Sequence, residues 1–367
     1  MKFKVTKDAL MAGIQTVQNA VAQKSSLPIL SNVLLESDNN TLRLTATDLD
    51  IGICSTIPVF GEDPGSITLP ARKFFDIIKA LPEGSEISLS MSRNNFVTIE
   101  SGKARFKIIG LPKDEFPQLP QFKDIDAITI EQKYFKQMLN LTDFAISRDD
   151  TRYVLNGILL TVNKDKISIV ATDGRRLANI VKALPERTLI DRTVIIPTKT
   201  VMELKRVLQD EGEVTVKFGD NQILFSFESS FILSRLIEGE YPNYKNVIPE
   251  KSNREITVSR DDFLSAARRA SIFTDQDSMA IKLNVTKKKM TISKNTPYLG
   301  EAKEEVDIEY TGDNELQIGF NPKYLIDVLK NLDEDEIIFE VNDANKPGVL
   351  RKGDEYIYVV LPMQLTA

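Results

Sequence analysis

Two acidic pairs, Asp149-Asp150 and Asp261-Asp262, are the nearest approach to a catalytic or metal-binding constellation. Adjacent side chains point in different directions on a helix or a strand. Neither pair has a third ligand or a partner base nearby in the sequence, so both read as solvated turns or helix caps. The chain holds no histidine and one cysteine, Cys54. That excludes Ser-His-Asp and Cys-His catalysis, removes the commonest metal ligand and rules out a Cys-rich zinc site. Thr172-Asp173-Gly174 belongs to neither phosphate-binding pattern, since G-x-x-x-x-G-K-[ST] and G-x-G-x-x-G are both missing. Lys287-Lys288-Lys289 reads as a solvated hairpin turn, and Cys54, within an apolar run, as a buried and inert thiol. No catalytic residue, metal or cofactor is expected.

With chemistry of that kind excluded, the elements carry the argument. A chain of 367 residues is long enough for two or three domains. No run approaches the ~20 apolar residues of a membrane helix, and the start of the chain lacks a signal-like apolar core. One cysteine fits a reducing compartment, so a cytoplasmic location is expected. The sequence repeats three times. Phe3-Lys4-Val5-Thr6, Ile128-Thr129-Ile130-Glu131 and Ile256-Thr257-Val258-Ser259 each open an alternating strand that passes into an amphipathic helix. A second helix follows Leu69-Pro70, Ile196-Pro197 and Phe320-Asn321-Pro322. Between them lie alternating strands such as Thr41 to Asp48, Lys166 to Asp173 and Lys289 to Thr296. The expected fold is α+β: three repeated domains, each with two helices packed on antiparallel sheet. Proline-bearing seams place the domains at 1–122, 123–250 and 251–367.

The formal net charge of −6 argues at first against nucleic acid. On the six expected helices, at 6–24, 71–80, 131–148, 198–209, 259–271 and 321–330, sixteen basic residues face eight acidic ones. The helices are thus basic and the remainder strongly acidic. Two readings fit: solvated helix faces rich in good helix formers, or a helical surface that meets a polyanion through sequence-independent phosphate contacts.

Several stretches resemble one family, the bacterial DNA sliding clamp, the beta subunit of DNA polymerase III. They are Leu27-Pro28-Ile29-Leu30, Thr45-Ala46-Thr47-Asp48-Leu49-Asp50, Pro70-Ala71-Arg72-Lys73-Phe74-Phe75-Asp76-Ile77 and Arg152-Tyr153-Val154-Leu155-Asn156-Gly157. Ala171-Thr172-Asp173-Gly174-Arg175-Arg176-Leu177-Ala178, Tyr241-Pro242-Asn243-Tyr244 and Tyr358-Val359-Val360-Leu361-Pro362-Met363 complete the set. The resemblance covers the whole chain and implies the DNA clamp fold, with two copies joined head to tail as a six-domain ring around duplex DNA.

It implies a mechanical processivity factor, not an enzyme, that slides without sequence preference. The residues it places near DNA are Lys24, Arg72, Lys73, Lys79, Lys136, Arg148, Arg152, Tyr153, Lys199, Lys205, Arg206 and Arg269. It also implies a hydrophobic groove for short peptides of the replicative polymerase, the clamp loader and repair proteins. From the middle domain the groove would use Arg152, Leu155, Thr172, Gly174, Arg175, Arg176, Leu177, Pro242 and Val247. From the last domain it would use Asn321, Tyr324, Pro347, Val359, Leu361 and Met363. Ring closure would pair Phe106 and Ile108 with Ile272 and Phe273, and set Lys73 and Arg105 opposite Glu301, Glu304 and Glu305. The chain departs from the family by carrying Arg175 where histidine is frequent and Gln364 where arginine is common. The rival readings are a three-repeat interaction scaffold that does not encircle DNA, and a carboxylate hydrolase or transferase that nothing in the sequence favours.

Overall fold

The computed structural model describes residues 1–22, 26–120, 122, 126–276 and 278–365. Among them the α-helices are α1 (Lys7–Val17), α2 (Ala71–Ala80), α3 (Gln132–Asn140), α4 (Thr198–Val207), α5 (Arg260–Ser271) and α6 (Pro322–Leu329). On α2, Phe74, Ile77 and Ile78 are buried while Arg72, Lys73 and Lys79 are exposed. The apolar stripe that fastens this helix to the sheet therefore forces its basic residues outward. Burying a side chain such as Phe74 stabilises by about 2–3 kcal/mol.

Two helices are shorter than expected. α1 stops at Val17 and tightens into a 3-10 turn, Gln18–Ala20, that brings Val17 and Ala20 to the same buried side. α3 stops at Asn140, where the Thr142 hydroxyl donates to the Met138 carbonyl at 2.8 Å and competes with helix continuation. Arg148 consequently lies beyond α3, and Lys24 lies outside the described residues.

The repeat is visible in single hydrogen bonds. Lys7, Gln132 and Arg260, the first residues of α1, α3 and α5, donate their N–H groups to Ser85, Gly212 and Asp335 carbonyls, each at 2.9 Å. Their side chains also reach the chain leaving the second helix of the same repeat. Lys7 Nζ donates to the Leu81 carbonyl, Gln132 Oε1 accepts from the Gln209 N–H, and Arg260 Nε donates to the Glu334 carbonyl. Three different side chains thus tie the start of the first helix to the chain leaving the second. Lys7 is buried by this task, so one basic residue of α1 is withdrawn from the surface.

The chain divides into two compact units, Met1–Lys133 with Met202–Leu236, and Tyr134–Val201 with Ile237–Ala367. The first contains a five-stranded sheet in the order Phe60–Asp63, Lys2–Thr6, Glu86–Met91, Phe96–Ser101, Ala104–Ile109. It also contains an eight-stranded sheet, in which Ser230–Arg235 pairs antiparallel with Ile51–Pro58. The second unit carries a twelve-stranded sheet, in which Tyr356–Val360 pairs with Arg176–Ala183. Each of these two strand junctions joins segments far apart in the sequence. Two counterparts have open edges among the described residues. Ala104–Ile109 pairs only with Phe96–Ser101, and residues 300–305 of strand Gly300–Tyr310 pair only with Lys289–Thr296.

Candidate peptide groove and basic surface

The groove is built where Arg176–Ala183 meets Tyr356–Val360. A tight turn precedes the first strand. Thr172 Oγ1 accepts from the Gly174 N–H at 3.0 Å and donates to the Arg176 carbonyl at 2.6 Å. Asp173 Oδ1 accepts from the Arg175 and Arg176 N–H groups at 2.9 and 3.1 Å. Gly174 has φ +84°, a left-handed backbone that favours glycine, and a Cβ there would lie 2.6 Å from Arg152 Nη1, whose side chain would have to swing aside.

Beside this turn lies a cavity of about 270 Å³. Of the groove residues expected from the resemblance, Arg152, Leu155, Thr172, Gly174, Arg175, Arg176, Leu177, Pro242, Val247, Val359 and Leu361 line it. Leu155, Leu177 and Val359 form its buried floor with Tyr241 and Val349, while Val247 and Leu361 stand exposed at the rim. Asn243 and Tyr244 also line it, although the stretch Tyr241-Pro242-Asn243-Tyr244 gives neither of them a role from sequence alone. Burial pushes the Tyr241 and Tyr244 phenols above their ordinary range.

The remaining four expected groove residues lie outside this lining. Asn321 caps α6 through Oδ1, which accepts from the Lys323 N–H at 3.0 Å. The Tyr324 ring lies beneath the Arg176 guanidinium at 4.5 Å, and the Met363 N–H donates to the Gly319 carbonyl at 2.8 Å. Pro347 is half-buried just before strand Gly348–Lys352. Arg176 itself is a buried strut, bonded to Asp173, to Asp327 and to the Phe144 carbonyl. Arg152 and Arg175 are the exposed cations of the rim. Apolar walls with arginines and open backbone groups at the edge suit a short extended peptide with apolar anchors.

The basic residues expected at DNA separate into groups. Arg72, Lys73 and Lys79 are exposed on α2, and Lys199 is exposed on α4 with Lys205 half-exposed. Lys136 is half-buried on α3, while Arg148, Arg152 and Tyr153 are exposed in the segment that follows it. Arg206 is occupied: its guanidinium pairs with Glu203 and donates to the Gln15 and Thr16 carbonyls at the end of α1. Arg269 pairs with Glu304 at 2.6 Å. Among the residues expected at ring closure, Phe106 and Ile108 are half-buried on the open-edged strand, Ile272 is exposed and Phe273 half-buried. Arg105 pairs with Glu100, and Glu305 with Lys289 and Lys303; Glu301 is exposed.

Repeated α+β units and a strand junction made twice define a modular fold of the clamp class. Family models for the N-terminal, central and C-terminal domains of the DNA polymerase III beta subunit match residues 1–120, 129–243 and 245–364. The chain belongs to that family. It is 34% identical over 370 residues to the beta sliding clamp of Proteus mirabilis, covering 100% of both chains. The sliding clamp structure from Bacillus subtilis superposes with a TM-score of 0.95 at 33% identity, with 100% of both chains covered. The Pseudomonas aeruginosa clamp, solved bound to griselimycin, gives 0.94 at 33% identity with the same coverage. No helix among the described residues is long and apolar enough to cross a membrane.

Proposed function

We propose that two copies of this chain close head to tail into a ring that encircles duplex DNA. In its family the chain is a non-enzymatic processivity factor that tethers polymerase. The single observation that carries the ring is the strand junction. It is made within each unit, by Ser230–Arg235 on Ile51–Pro58 and by Tyr356–Val360 on Arg176–Ala183. The corresponding strands Ala104–Ile109 and Gly300–Tyr310 keep an open edge, which is the requirement for a heterologous contact that closes. Phe106, Ile108, Ile272 and Phe273 would fill that contact, with Lys73 and Arg105 near Glu301, Glu304 and Glu305.

The three clamp domains are 1–122, 123–250 and 251–367. Exposed Arg72, Lys73, Lys79 and Lys199, with Lys24, Lys136, Arg148, Arg152, Lys205, Arg206 and Arg269, supply the DNA-facing charge, and Tyr153 adds a neutral contact. Many weak phosphate contacts permit sliding, since no base is read. The 270 Å³ cavity receives short peptides of the polymerase, the clamp loader and repair proteins in the cytoplasm. Griselimycin, bound to the Pseudomonas aeruginosa clamp in its solved structure, is a compound to test against it.

The test is loader-dependent retention on nicked circular DNA followed by linearisation. A ring stays on the circle and slides off the cut ends. Retention on linear DNA with free ends, or a protein that is monomeric throughout the working concentration range, rejects the ring and favours a scaffold that only docks peptides.

A further inference from the structure

The turn that forms the groove occurs a second time. In the first unit, Thr47 Oγ1 accepts from the Leu49 N–H at 3.0 Å and donates to the Ile51 carbonyl at 2.9 Å. Asp48 Oδ1 accepts from the Asp50 and Ile51 N–H groups at 3.1 and 2.9 Å. These are the bonds of Thr172 and Asp173, shifted to the first repeat. The third residue of each turn has the same left-handed backbone, with φ +81° at Leu49 and +84° at Gly174. The strands that follow are paired alike. Gly52 stands opposite Leu233 as Leu177 stands opposite Val359. The Arg235 N–H donates to the Asp50 carbonyl at 2.8 Å, as the Leu361 N–H donates to the Arg175 carbonyl at 2.9 Å.

The backbones coincide bond for bond, but the side chains differ at the mouth. Leucine replaces glycine at the strained position, although a left-handed φ favours glycine and penalises a bulky residue. Leu49 is 43% exposed, so burial compensates its conformation only in part. Glycine replaces leucine at position 52, and the vacated space is taken by Leu119 from the connecting segment. A Cβ on Gly52 would come within 2.8 Å of Leu119 Cδ2. The cavity that survives beside Leu49, Gly52 and Leu119 is about 150 Å³, against 270 Å³ at the groove.

We propose that this first junction is a closed duplicate of the peptide groove, and that Leu49 and Leu119 are the residues that restrict the chain to one peptide site. The proposal rests on the reading of the second-unit cavity as a peptide site. Leu49 stands at the mouth where the groove has Gly174 beneath the Arg152 guanidinium, and Leu119 lies as a built-in apolar anchor against the strand. Its ligand class, once opened, is that of the groove: a short segment with apolar anchors. Exchanging Leu49 and Gly52 for their groove counterparts and truncating Leu119, which stands where the groove has Tyr244, removes the cover.

The experiment is calorimetric titration of the full-length protein with griselimycin. The wild type takes up one equivalent per chain, and the Leu49→Gly/Gly52→Leu/Leu119→Ala variant takes up two. Adding Leu361→Ala to either protein weakens the original site at least tenfold and leaves the new one. If the triple variant does not give a cooperative thermal transition, Leu49→Gly/Leu119→Ala is titrated instead, because it adds no atoms to the junction. One equivalent in the folded variant overturns the proposal, as do two in the wild type. No uptake by the wild type, or uptake unaffected by Leu361→Ala, overturns the groove reading and the proposal together.

Discussion

Arg176 Nη1 lies 2.8 Å from Asp327 Oδ2, joining residues 151 positions apart beneath the groove. The same guanidinium donates from Nε to Asp173 Oδ2 at 3.1 Å, and Asp173 Oδ1 holds the turn that presents Gly174. It also lies 4.5 Å from the Tyr324 ring centroid and 5.6 Å from that of Phe144. A planar fork against aromatic rings is a task lysine cannot perform. Arg176→Met leaves two carboxylates without their buried partner, and about 3 kcal/mol of stability is lost. Arg176→Lys recovers less than half of it. Midpoints of urea unfolding check both, and a lysine variant as stable as wild type would refute the bidentate role.

Rim and floor of the groove respond differently to truncation. Leu177 is 3% exposed and belongs to a buried cluster with Leu155, Val170 and Tyr241, so Leu177→Ala costs about 2–4 kcal/mol as well as affinity. Leu361 and Val247 are 43% and 55% exposed, and truncating them alters stability by less than about 0.5 kcal/mol. Leu361→Ala combined with Val247→Ala therefore weakens peptide or griselimycin binding at least tenfold while the melting temperature stays fixed. Met363, held through its backbone N–H on the Gly319 carbonyl, has a smaller effect when its side chain is truncated. Equal losses of affinity at Met363 and Leu361 in a titration would contradict this ordering.

The repeat and the α+β class were legible because they rest on local rules, whereas the turn residues of the groove came only from the family resemblance. Period-2 strands and proline at helix starts each act over a few residues. Helix ends were not legible: α3 stops because of the Thr142 hydroxyl, although the apolar pattern continues to Ile146. The use of a charge was equally hidden. Lys7 and Lys79 look alike in sequence, yet one is 4% exposed and caps α2 while the other is exposed upon it. That distinction depends on where Leu81 falls in space, and a count of charges on helices cannot contain it. The duplicate junction escaped for the same reason, since Gly52 gains meaning only when Leu119 is placed against it.

Lys205 and Arg206 are neighbours on α4 with different expected phenotypes. Arg206 pairs with Glu203 at 2.7 Å and donates to the Gln15 and Thr16 carbonyls at 3.0 and 2.8 Å. Arg206→Ala thus frees the end of α1 and costs about 0.5–1.5 kcal/mol, since water can reach the exposed carbonyls it leaves. Lys205→Ala leaves those bonds in place. If Lys205 meets phosphate, its removal lowers the salt slope of DNA affinity by about 0.9 for each phosphate no longer neutralised. Thermal melting with salt-titrated DNA binding separates the two, and an unaltered melt for Arg206→Ala would return that residue to the purely DNA-facing class.

The Arg269–Glu304 pair sets a pH window. The guanidinium hydrogen bond at 2.6 Å holds the Glu304 carboxyl below the usual glutamate range. A folded-state value below the unfolded one means that the unfolded chain binds the proton more readily. The contribution to stability is therefore complete above the ordinary glutamate value, about 4.3, and disappears as pH falls through the lowered folded value. Glu304→Gln removes the charge at every pH, so it isolates this contribution. The difference in melting temperature between wild type and Glu304→Gln is constant above the ordinary glutamate range and closes as pH falls through the lowered folded-state value. Because the pair is solvent-facing, the difference is modest and shrinks in high salt. A gap that persists unaltered at low pH would mean that Glu304 stabilises by packing rather than by its charge, and that its carboxylate is not committed to Arg269.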